Sequence, residues 1–404
     1  MKALKKCVIW ILLGILTGAV CGLIGALFSK TIGFVTNIRV QNNWILYLLS
    51  IGGLISVGIY KLCRIKGVGT VSVFESARTE LRLPHLLAPA IFTGTAISHL
   101  FGASAGREGA ALQIGGGVAN SIATLFKLDE DSRHITIMCG MAALFSAVFG
   151  TPLAACAFVI EVILTRLCIS AAIPVLISSI AAFLTASALG VHPERFNIGA
   201  LPNFSVSLVL KTALITLLSV AVGFVFCKGL ALGGTFAKKL FKNEFLRITI
   251  GGAVIIILTL IIGNYDYNGG GIDIIEHVFE GSVNYEAFAL KILFTVICVS
   301  AGFKGGEIIP TLFIGATFGG ALALVLGVPV GIGAATGMAV LFCAGTKCPI
   351  ATILLCGEMF GFYSMPLIIP VVIVGFALAR YKGLYGKQKD IIILIKEHIT
   401  GLPQ

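Results

Sequence analysis

The hydrophobic positions of this chain gather into long runs, which are separated by short polar or glycine-containing stretches. Runs at residues 7–29, 208–234, 248–263 and 365–379 approach or exceed the roughly 18–20 apolar residues that a helix needs to cross a bilayer. Other runs are shorter or contain glycine, which favours tilted and broken helices over a simple up-and-down bundle. The pattern therefore predicts an all-α polytopic membrane protein.

The composition supports this prediction. Of the 404 residues, 57% are hydrophobic and only 12% are charged, whereas soluble domains carry about 25% charged residues. The eleven cysteines and six histidines show none of the spacings that are typical of zinc sites. We therefore expect no metal site and no cofactor.

The net charge of +11 is unevenly distributed along the chain. Basic residues cluster at 2–6, 228–247 and 382–396, and the positive-inside rule assigns such stretches to the cytoplasm. Residues 248–290 contain five acidic residues but no lysine or arginine, so we place them outside. We expect a multi-pass protein of the cell membrane with both termini cytoplasmic. Basic ends beside anionic lipid explain the positive charge, and no nucleic acid partner is expected.

The sequence contains an internal repeat. Residues 140–161 and 337–358, which are 197 positions apart, share nine identities in 22 positions. Upstream of each copy a glutamate close to glycine opens an apolar segment. In transporters that are built from two repeats, the two halves commonly meet near the membrane midplane. We predict membrane repeats at 1–199 and 200–380, followed by a short cytoplasmic segment at 381–404 without a soluble regulatory domain.

An arginine and a glutamate stand together in apolar surroundings, in the sequence Gly106-Arg107-Glu108-Gly109. Ionisable residues are costly inside a bilayer and usually mark functional sites. This pair precedes a predicted helix start, whose free N–H groups and dipole attract anions. The sequence thus predicts an anion path that contains the Glu108 carboxylate. The alternative is a structural salt bridge to Arg107, although neighbouring residues on a helix point in different directions.

A second glutamate, Glu307, opens the corresponding helix of the other repeat. Capping of that helix is the simpler interpretation. In an anion path its charge would repel the substrate unless the carboxyl were protonated, and burial favours the neutral form of a carboxyl group. A neutral Glu307 could donate a hydrogen bond to the anion or pass on a proton. Glu161 and Glu358, which end the two repeat copies, are interpreted as structural residues that cap helix ends or pair at surfaces.

Residues 102–106 match the G-x-S-x-G pattern of a serine nucleophile. That chemistry needs a base within hydrogen-bonding distance of Ser104, and His99 is the candidate. No oriented triad accompanies the pattern, so an intramembrane serine hydrolase is kept only as a distant alternative, and we expect a transporter rather than an enzyme.

Several groups of residues, taken in order, resemble the CLC family of chloride channels and anion/proton antiporters, over about residues 10–386. They are Gly67-Val-Gly-Thr-Val71, Gly106-Arg-Glu-Gly109, Phe149-Gly-Thr-Pro-Leu153 with Phe158-Val-Ile-Glu161, Gly306-Glu-Ile-Ile-Pro310, and Cys348-Pro-Ile350 with Gly357-Glu-Met359.

The resemblance implies a homodimer of inverted repeats, with a separate anion path in each subunit. It implies that Glu108 is the gating glutamate, whose carboxylate occupies an anion site until protonation lets it move. Tyr385 would line the inner part of the path, with Tyr381 as the alternative. The other residues implied at the path are Gly67, Val68, Gly69, Gly106, Arg107, Gly109, Gly306, Glu307, Ile308 and Ile309.

Three departures from the family pattern narrow the expected function. Val68 stands where chloride-handling members offer a serine hydroxyl. Glu307 lies in the segment Gly306–Pro310, where the family usually carries a phenylalanine between the glycine and the proline. Val162 stands where many proton-coupled members carry an internal glutamate. These features resemble the fluoride/proton antiporter branch, although that branch commonly carries methionine at Val68 and threonine at Ile309. We expect export of fluoride in exchange for protons. A chloride transporter or a passive chloride channel is the alternative.

Overall fold

The structure is a computed structural model that describes residues 2–65, 67–165, 167–203 and 205–385. These residues form sixteen α-helices and two short 3-10 helices, and their only strand-like pairing is an isolated bridge between Gly106 and Gly306. The all-α prediction is therefore confirmed. Of the predicted segment at 381–404, residues 386–404 lie outside the described part of the chain.

The first eight α-helices precede an extended segment at residues 191–203. A 3-10 helix, Asn43–Leu48, lies between the first two. The α-helices are α1 (Lys2–Gln41), α2 (Leu49–Leu62), α3 (Thr70–Ser76), α4 (Leu87–Leu100), α5 (Glu108–Leu125), α6 (Glu130–Phe149), α7 (Pro152–Ile163) and α8 (Cys168–Ala188).

Eight further α-helices follow the extended segment, with the 3-10 helix Phe362–Ser364 before the last. They are α9 (Val206–Leu240), α10 (Glu244–Ile262), α11 (Ile272–Phe279), α12 (Ala287–Ala301), α13 (Ile308–Leu326), α14 (Val330–Thr346), α15 (Pro349–Phe360) and α16 (Met365–Leu378).

Only some of these helices are long enough to cross a membrane. Among the described residues, seven segments have the required length and apolar composition, whereas helices such as α7, α15 and the 14-residue α16 are shorter. The apolar run at 365–379 thus forms a short helix rather than a full span. This mixture confirms the predicted architecture of long, short and broken helices. The spanning segments are Lys6–Gln41, Asn43–Leu62, Glu130–Phe149, Cys168–Ala188, Val206–Leu240, Glu244–Ile262 and Ile308–Leu326.

Small residues allow the central helices to approach each other closely. In the pair α13 and α14, a Cβ added at Gly315 would lie 2.6 Å from the Gly337 carbonyl oxygen. In the pair α5 and α6, Gly115 faces the Gly140 carbonyl in the same way. Gly140 and Gly337 are matched positions of the internal repeat, so in both halves a glycine allows two membrane helices to pack closely.

The two glutamates that end the repeat copies cap each other's helices. The Glu161 carboxylate, at the end of α7, accepts hydrogen bonds of 3.0 Å and 2.7 Å from two N–H groups in the first turn of α15. The Glu358 carboxylate, at the end of α15, accepts bonds of 3.0 Å and 2.9 Å from the first turn of α7. The predicted capping role is confirmed, and each cap joins one half of the chain to the other.

Candidate functional site

The loops that precede α5 and α13 are hydrogen-bonded to each other. Gly106 N–H donates to the Gly306 carbonyl at 2.7 Å, and Gly306 N–H donates to the Gly106 carbonyl at 2.6 Å. This reciprocal pairing brings together the N-termini of α5 and α13, which come from different halves of the sequence. It also occupies two amides that sequence reasoning assigned to an anion, so the free N–H groups are those of the first helical turns.

Glycine is required where these loops meet. A Cβ added at Gly109 would lie 2.7 Å from the Gly306 Cα, and one added at Gly106 would lie 2.8 Å from Oε2 of Glu108. Both distances are shorter than van der Waals contact. The glycines therefore permit backbone-to-backbone approach and leave space for the Glu108 carboxyl group.

Glu108 is the first residue of α5, and its side chain is only 1% exposed. Its Oε1 lies 3.4 Å from Nε of Arg107, which is a weak contact for a charge-assisted hydrogen bond. Its Oε2 is buried and has no hydrogen-bond partner among the described residues. Buried polar groups rarely remain without a partner, so this oxygen is available to take up a proton or to accept a hydrogen bond.

Arg107 makes its shorter ion pair with a residue that sequence reasoning missed. Its Nη2 lies 2.6 Å from Oε1 of Glu194, in the extended segment between α8 and α9. Glu194 N–H in turn donates to the Phe149 carbonyl. Arg107 is therefore held away from full pairing with Glu108, as expected for a structural charge. The only signal in the sequence was the polar character of the segment around Glu194.

Glu307 lies directly before α13 and is partly exposed. Its side chain makes no capping hydrogen bond to that helix. Its backbone carbonyl instead accepts hydrogen bonds from Thr311, at 3.0 Å from N–H and 2.7 Å from Oγ1. The capping interpretation is therefore not supported for the Glu307 carboxyl group, which lies available at the helix start.

The hydroxyl groups distinguish Tyr385 from Tyr381. Tyr381 donates its hydroxyl to a backbone carbonyl of α9 at 3.3 Å. Tyr385 is buried, and its hydroxyl has no partner among the described residues. Its ring contacts Phe74 and Phe158, at centroid distances of 5.1 Å and 6.4 Å. Of these two tyrosines, Tyr385 is therefore the one whose hydroxyl group donates no hydrogen bond to another described residue.

The loop that contains Gly67, Val68 and Gly69, directly before α3, lies beside the start of α5. The Gln113 side-chain N–H group, in α5, donates to Thr70 Oγ1 at 3.0 Å and to the Gly109 carbonyl at 3.2 Å. Gln113 therefore links the first turn of α5 to that of α3, a contact that sequence reasoning did not anticipate. In this loop Gly67 has a positive φ of 66°, and Val68 packs partly buried against the core.

Apolar side chains complete the surroundings of the glutamates. Ile308 and Ile309 are buried at the start of α13. The Ile309 Cβ lies 3.0 Å from where a Cβ at Gly106 would stand. Gly69 directly precedes α3, and its carbonyl accepts the Ser72 N–H at 3.0 Å. Of the predicted residues, Gly106, Gly109, Gly306 and Ile309 are therefore brought together beside Glu108.

The serine hydrolase alternative finds no support in the geometry. The Ser104 hydroxyl lies 3.1 Å from Thr295 Oγ1 and is fully buried. Within the described residues no hydrogen bond joins Ser104 to His99, whose Nε2 has no partner. A nucleophile without a base in contact is not activated.

A membrane-spanning, all-helical chain in which two interrupted helices meet at a buried carboxyl group has the architecture of a secondary anion transporter. The comparisons with known proteins agree with this class. The chain belongs to the voltage gated chloride channel (CLC) family, whose family model matches residues 52–380.

Relatives and solved structures of this family are similar over nearly the whole chain. A chloride/fluoride channel protein of Pseudomonas syringae pv. tomato is 30% identical over 389 residues, covering 94% of this chain and 86% of the relative. An H(+)/Cl(-) exchange transporter of Vibrio campbellii is 28% identical over 407 residues, covering 92% and 86%. The relatives are transporters, so the prediction of a transporter rather than an enzyme is confirmed.

Solved structures show the same fold. The crystal structure of a CLC-type fluoride/proton antiporter superposes with a TM-score of 0.89 at 30% identity, covering 95% of this chain and 98% of that one. A slow cyanobacterial Cl-/H+ antiporter superposes with a TM-score of 0.80 at 20% identity, covering 97% and 98%. The predicted CLC-type fold of a multi-pass membrane protein is therefore confirmed.

Proposed function

We propose that this protein is a fluoride/proton antiporter that exports fluoride from the cytoplasm, and that Glu108 exchanges a proton for the anion. The observation that carries the proposal is the Glu108 carboxyl group, which is buried where the N-termini of α5 and α13 meet and has one oxygen without a partner in the described part of the chain. An ionised carboxylate in this place is a substitute for a bound anion. Protonation removes its charge and lets an anion take its place.

The binding groups for an anion are the free amides of the two helix starts. In α5 these are the N–H groups of residues 108–110. In α13 they are those of residues 308 and 309, because Pro310 has none. Both helix dipoles add a partial positive charge at the same point. An anion and the ionised Glu108 carboxylate therefore compete for one set of donors, so protonation of Glu108 favours anion binding and its deprotonation favours anion release.

Fluoride is small and strongly hydrated, so a site that removes its water must supply dense hydrogen-bond donors. Besides the amides, the buried Tyr385 hydroxyl has no partner within residues 2–385 as the structure describes them. A protonated Glu307 would add a second donor on the α13 side. The same carboxyl group, once ionised, would repel an anion and favour its release.

The substitutions Val68 and Glu307 favour fluoride over chloride. Val68 offers no hydroxyl group to a chloride-like anion. A protonated Glu307 is a strong hydrogen-bond donor, and a larger, weakly hydrated anion such as chloride gains little from such a donor. Fluoride also appears in the names of two 30% identical relatives. Chloride/proton exchange is the second candidate, because the 28% identical Vibrio relative bears that name.

The experiment that tests the proposal is anion flux from liposomes that contain the purified protein. Fluoride and chloride gradients of equal size are compared, with proton movement followed by a pH electrode. We expect faster fluoride efflux, accompanied by proton uptake. Faster chloride movement with proton uptake would support the second candidate, and chloride movement without protons would indicate a passive channel.

The orientation and assembly of the protein are part of the same proposal. Both termini are assigned to the cytoplasm because of the basic residues near them, and residues 248–290 to the outside. We infer a homodimer with one anion path in each subunit. Single cysteines introduced at exposed positions such as Lys238 and Glu280 should react with an impermeant thiol reagent from opposite sides of the membrane.

A further inference from the structure

A basic cleft lies away from the anion site, beside the C-terminal end of α5. Its volume is about 450 Å³. It is lined by three side chains that can carry positive charge, Arg82, His85 and Lys127, together with the polar side chains of Asn120 and Thr124. The transport mechanism proposed above uses none of these residues.

The cleft has an excess of positive charge. Arg82 forms an ion pair with Glu130, but the same carboxylate also binds the buried Arg133, whose Nε lies 2.8 Å from Oε2. Lys127 and His85 are paired with no carboxylate in the described part of the chain. The charge of this region is therefore not neutralised by the protein itself.

Asn120 shows that the cleft has an unused hydrogen-bond acceptor. The Asn120 side chain is 1% exposed, and its Nδ2 group donates to the Leu83 carbonyl at 3.1 Å. Its Oδ1 has no partner among the described residues. A buried acceptor of this kind calls for a donor such as a hydroxyl group. Inorganic phosphate at neutral pH also carries a hydroxyl group, so this acceptor alone does not distinguish a soluble phosphate from a lipid headgroup.

The cleft lies where the apolar surface of the protein gives way to charge. Next to Lys127, the side chains of Leu125 and Phe126 are 77% and 53% exposed. On the other side of the cleft Leu86 is 53% exposed. In a membrane protein such a border is the level of the lipid headgroups, where a lysine keeps its charge in water beside buried apolar surface.

We propose that this cleft binds the headgroup of an anionic phospholipid of the phosphatidylglycerol type. Its phosphate would lie among Arg82, His85 and Lys127, and a glycerol hydroxyl would donate to Asn120 Oδ1. Its acyl chains would lie along Leu125 and its neighbours. Charge complementarity selects the phosphate, the orphaned acceptor selects a headgroup with a hydroxyl, and the adjoining apolar surface selects a lipid over a soluble phosphate.

The test is native mass spectrometry of the full-length protein in detergent, titrated with single lipids at equal mole fraction. We expect more bound phosphatidylglycerol than phosphatidylcholine, which is zwitterionic, and more than phosphatidic acid, which has the charge but lacks the headgroup glycerol and its hydroxyl groups. Lys127→Gln should weaken phosphatidylglycerol binding about fivefold, the effect of one basic residue at an anionic surface. Lys238→Gln, which changes an exposed lysine of α9 outside the cleft, is the matched control.

Two further arms decide the source of the phosphate group. Inorganic phosphate and glycerol 3-phosphate are added as competitors, and neither should displace the bound lipid at equal concentration. Displacement by inorganic phosphate would overturn the lipid assignment in favour of a soluble anion. Equal effects of Lys127→Gln and Lys238→Gln, or equal binding of phosphatidylcholine, would overturn the site itself. Because Lys127 is exposed, loss of folding does not complicate this comparison.

Discussion

Glu108 combines deep burial with an incomplete set of partners. One carboxyl oxygen is 3.4 Å from Arg107 and the other has no partner among the residues that the structure describes, while Arg107 makes a shorter contact with Glu194. An ionised carboxyl that is buried without full pairing is strongly disfavoured. The residue is therefore suited to alternate between a proton and the positive ends of two helices.

Glu108→Gln should abolish proton coupling. Glutamine has the size of a protonated glutamate but cannot exchange its proton, so proton uptake during fluoride efflux should fall by about 10²-fold or more, as when a positioned acid–base group is removed. The measurement is proton uptake by liposomes under a fluoride gradient. Glu280→Gln, which changes an exposed acid directly after α11, is the control. Undiminished coupled uptake by Glu108→Gln would exclude this residue as the proton carrier.

Gly109→Ala should impair transport by separating the paired loops. The new Cβ would lie 2.7 Å from the Gly306 Cα, so one helix start must shift, at a cost of about 1–3 kcal/mol. We expect a marked loss of fluoride flux with a lower melting temperature. Gly33→Ala in α1, where an added Cβ meets nothing within 4 Å, should leave both unchanged. Equal flux from the two variants would show that the close approach is dispensable.

At the scale of whole elements, the crossed caps hold the two halves of the sequence together. Glu161→Gln and Glu358→Gln each remove one charged acceptor from a helix N-terminus in the opposite half. Each change should destabilise the protein by about 1 kcal/mol, measured by thermal unfolding in detergent. The double variant should show the sum, because the two caps share no hydrogen bond. An unchanged melting temperature in both single variants would mean that the caps contribute nothing.

The elements and contacts differ in how far the sequence could predict them. Apolar runs predicted the long helices, because burial in lipid requires a fixed length. The structural roles of Glu161 and Glu358 followed from the repeat, but their exchange between halves did not, since it depends on contacts about 190–205 residues apart. Glu194 was missed because it lies in an extended segment without periodicity. The boundary between repeats at residue 200 stays a prediction.

The tyrosines show what a short motif cannot decide. Tyr381 and Tyr385 are four positions apart in one short local match, so the sequence favoured Tyr385 but left Tyr381 as the alternative. The structure separates them by the partner of each hydroxyl group, which depends on the distant helix α9. Side-chain hydrogen bonding of this kind is a property of the packed protein and is not encoded in neighbouring residues.

At the scale of the whole molecule, antiport and passive leakage of fluoride differ in direction. Hydrogen fluoride crosses lipid as a neutral molecule and ionises on the far side, so leakage accumulates fluoride in the more alkaline compartment. Exchange of fluoride for a proton moves fluoride towards the more acidic compartment. For a cell whose cytoplasm is more alkaline than its surroundings, exchange therefore lowers cytoplasmic fluoride, whereas leakage of hydrogen fluoride raises it.

This opposition gives a test of the proposed mechanism that does not depend on rates. Liposomes with the membrane potential clamped at zero and a difference of one pH unit should concentrate fluoride about tenfold on the acidic side if one anion exchanges for one proton, because each tenfold ratio corresponds to about 1.4 kcal/mol. A passive channel would hold no gradient, and protein-free liposomes would concentrate fluoride on the alkaline side. Liposomes with Glu108→Gln should behave as the channel does. Accumulation on the alkaline side in the presence of the native protein would contradict antiport.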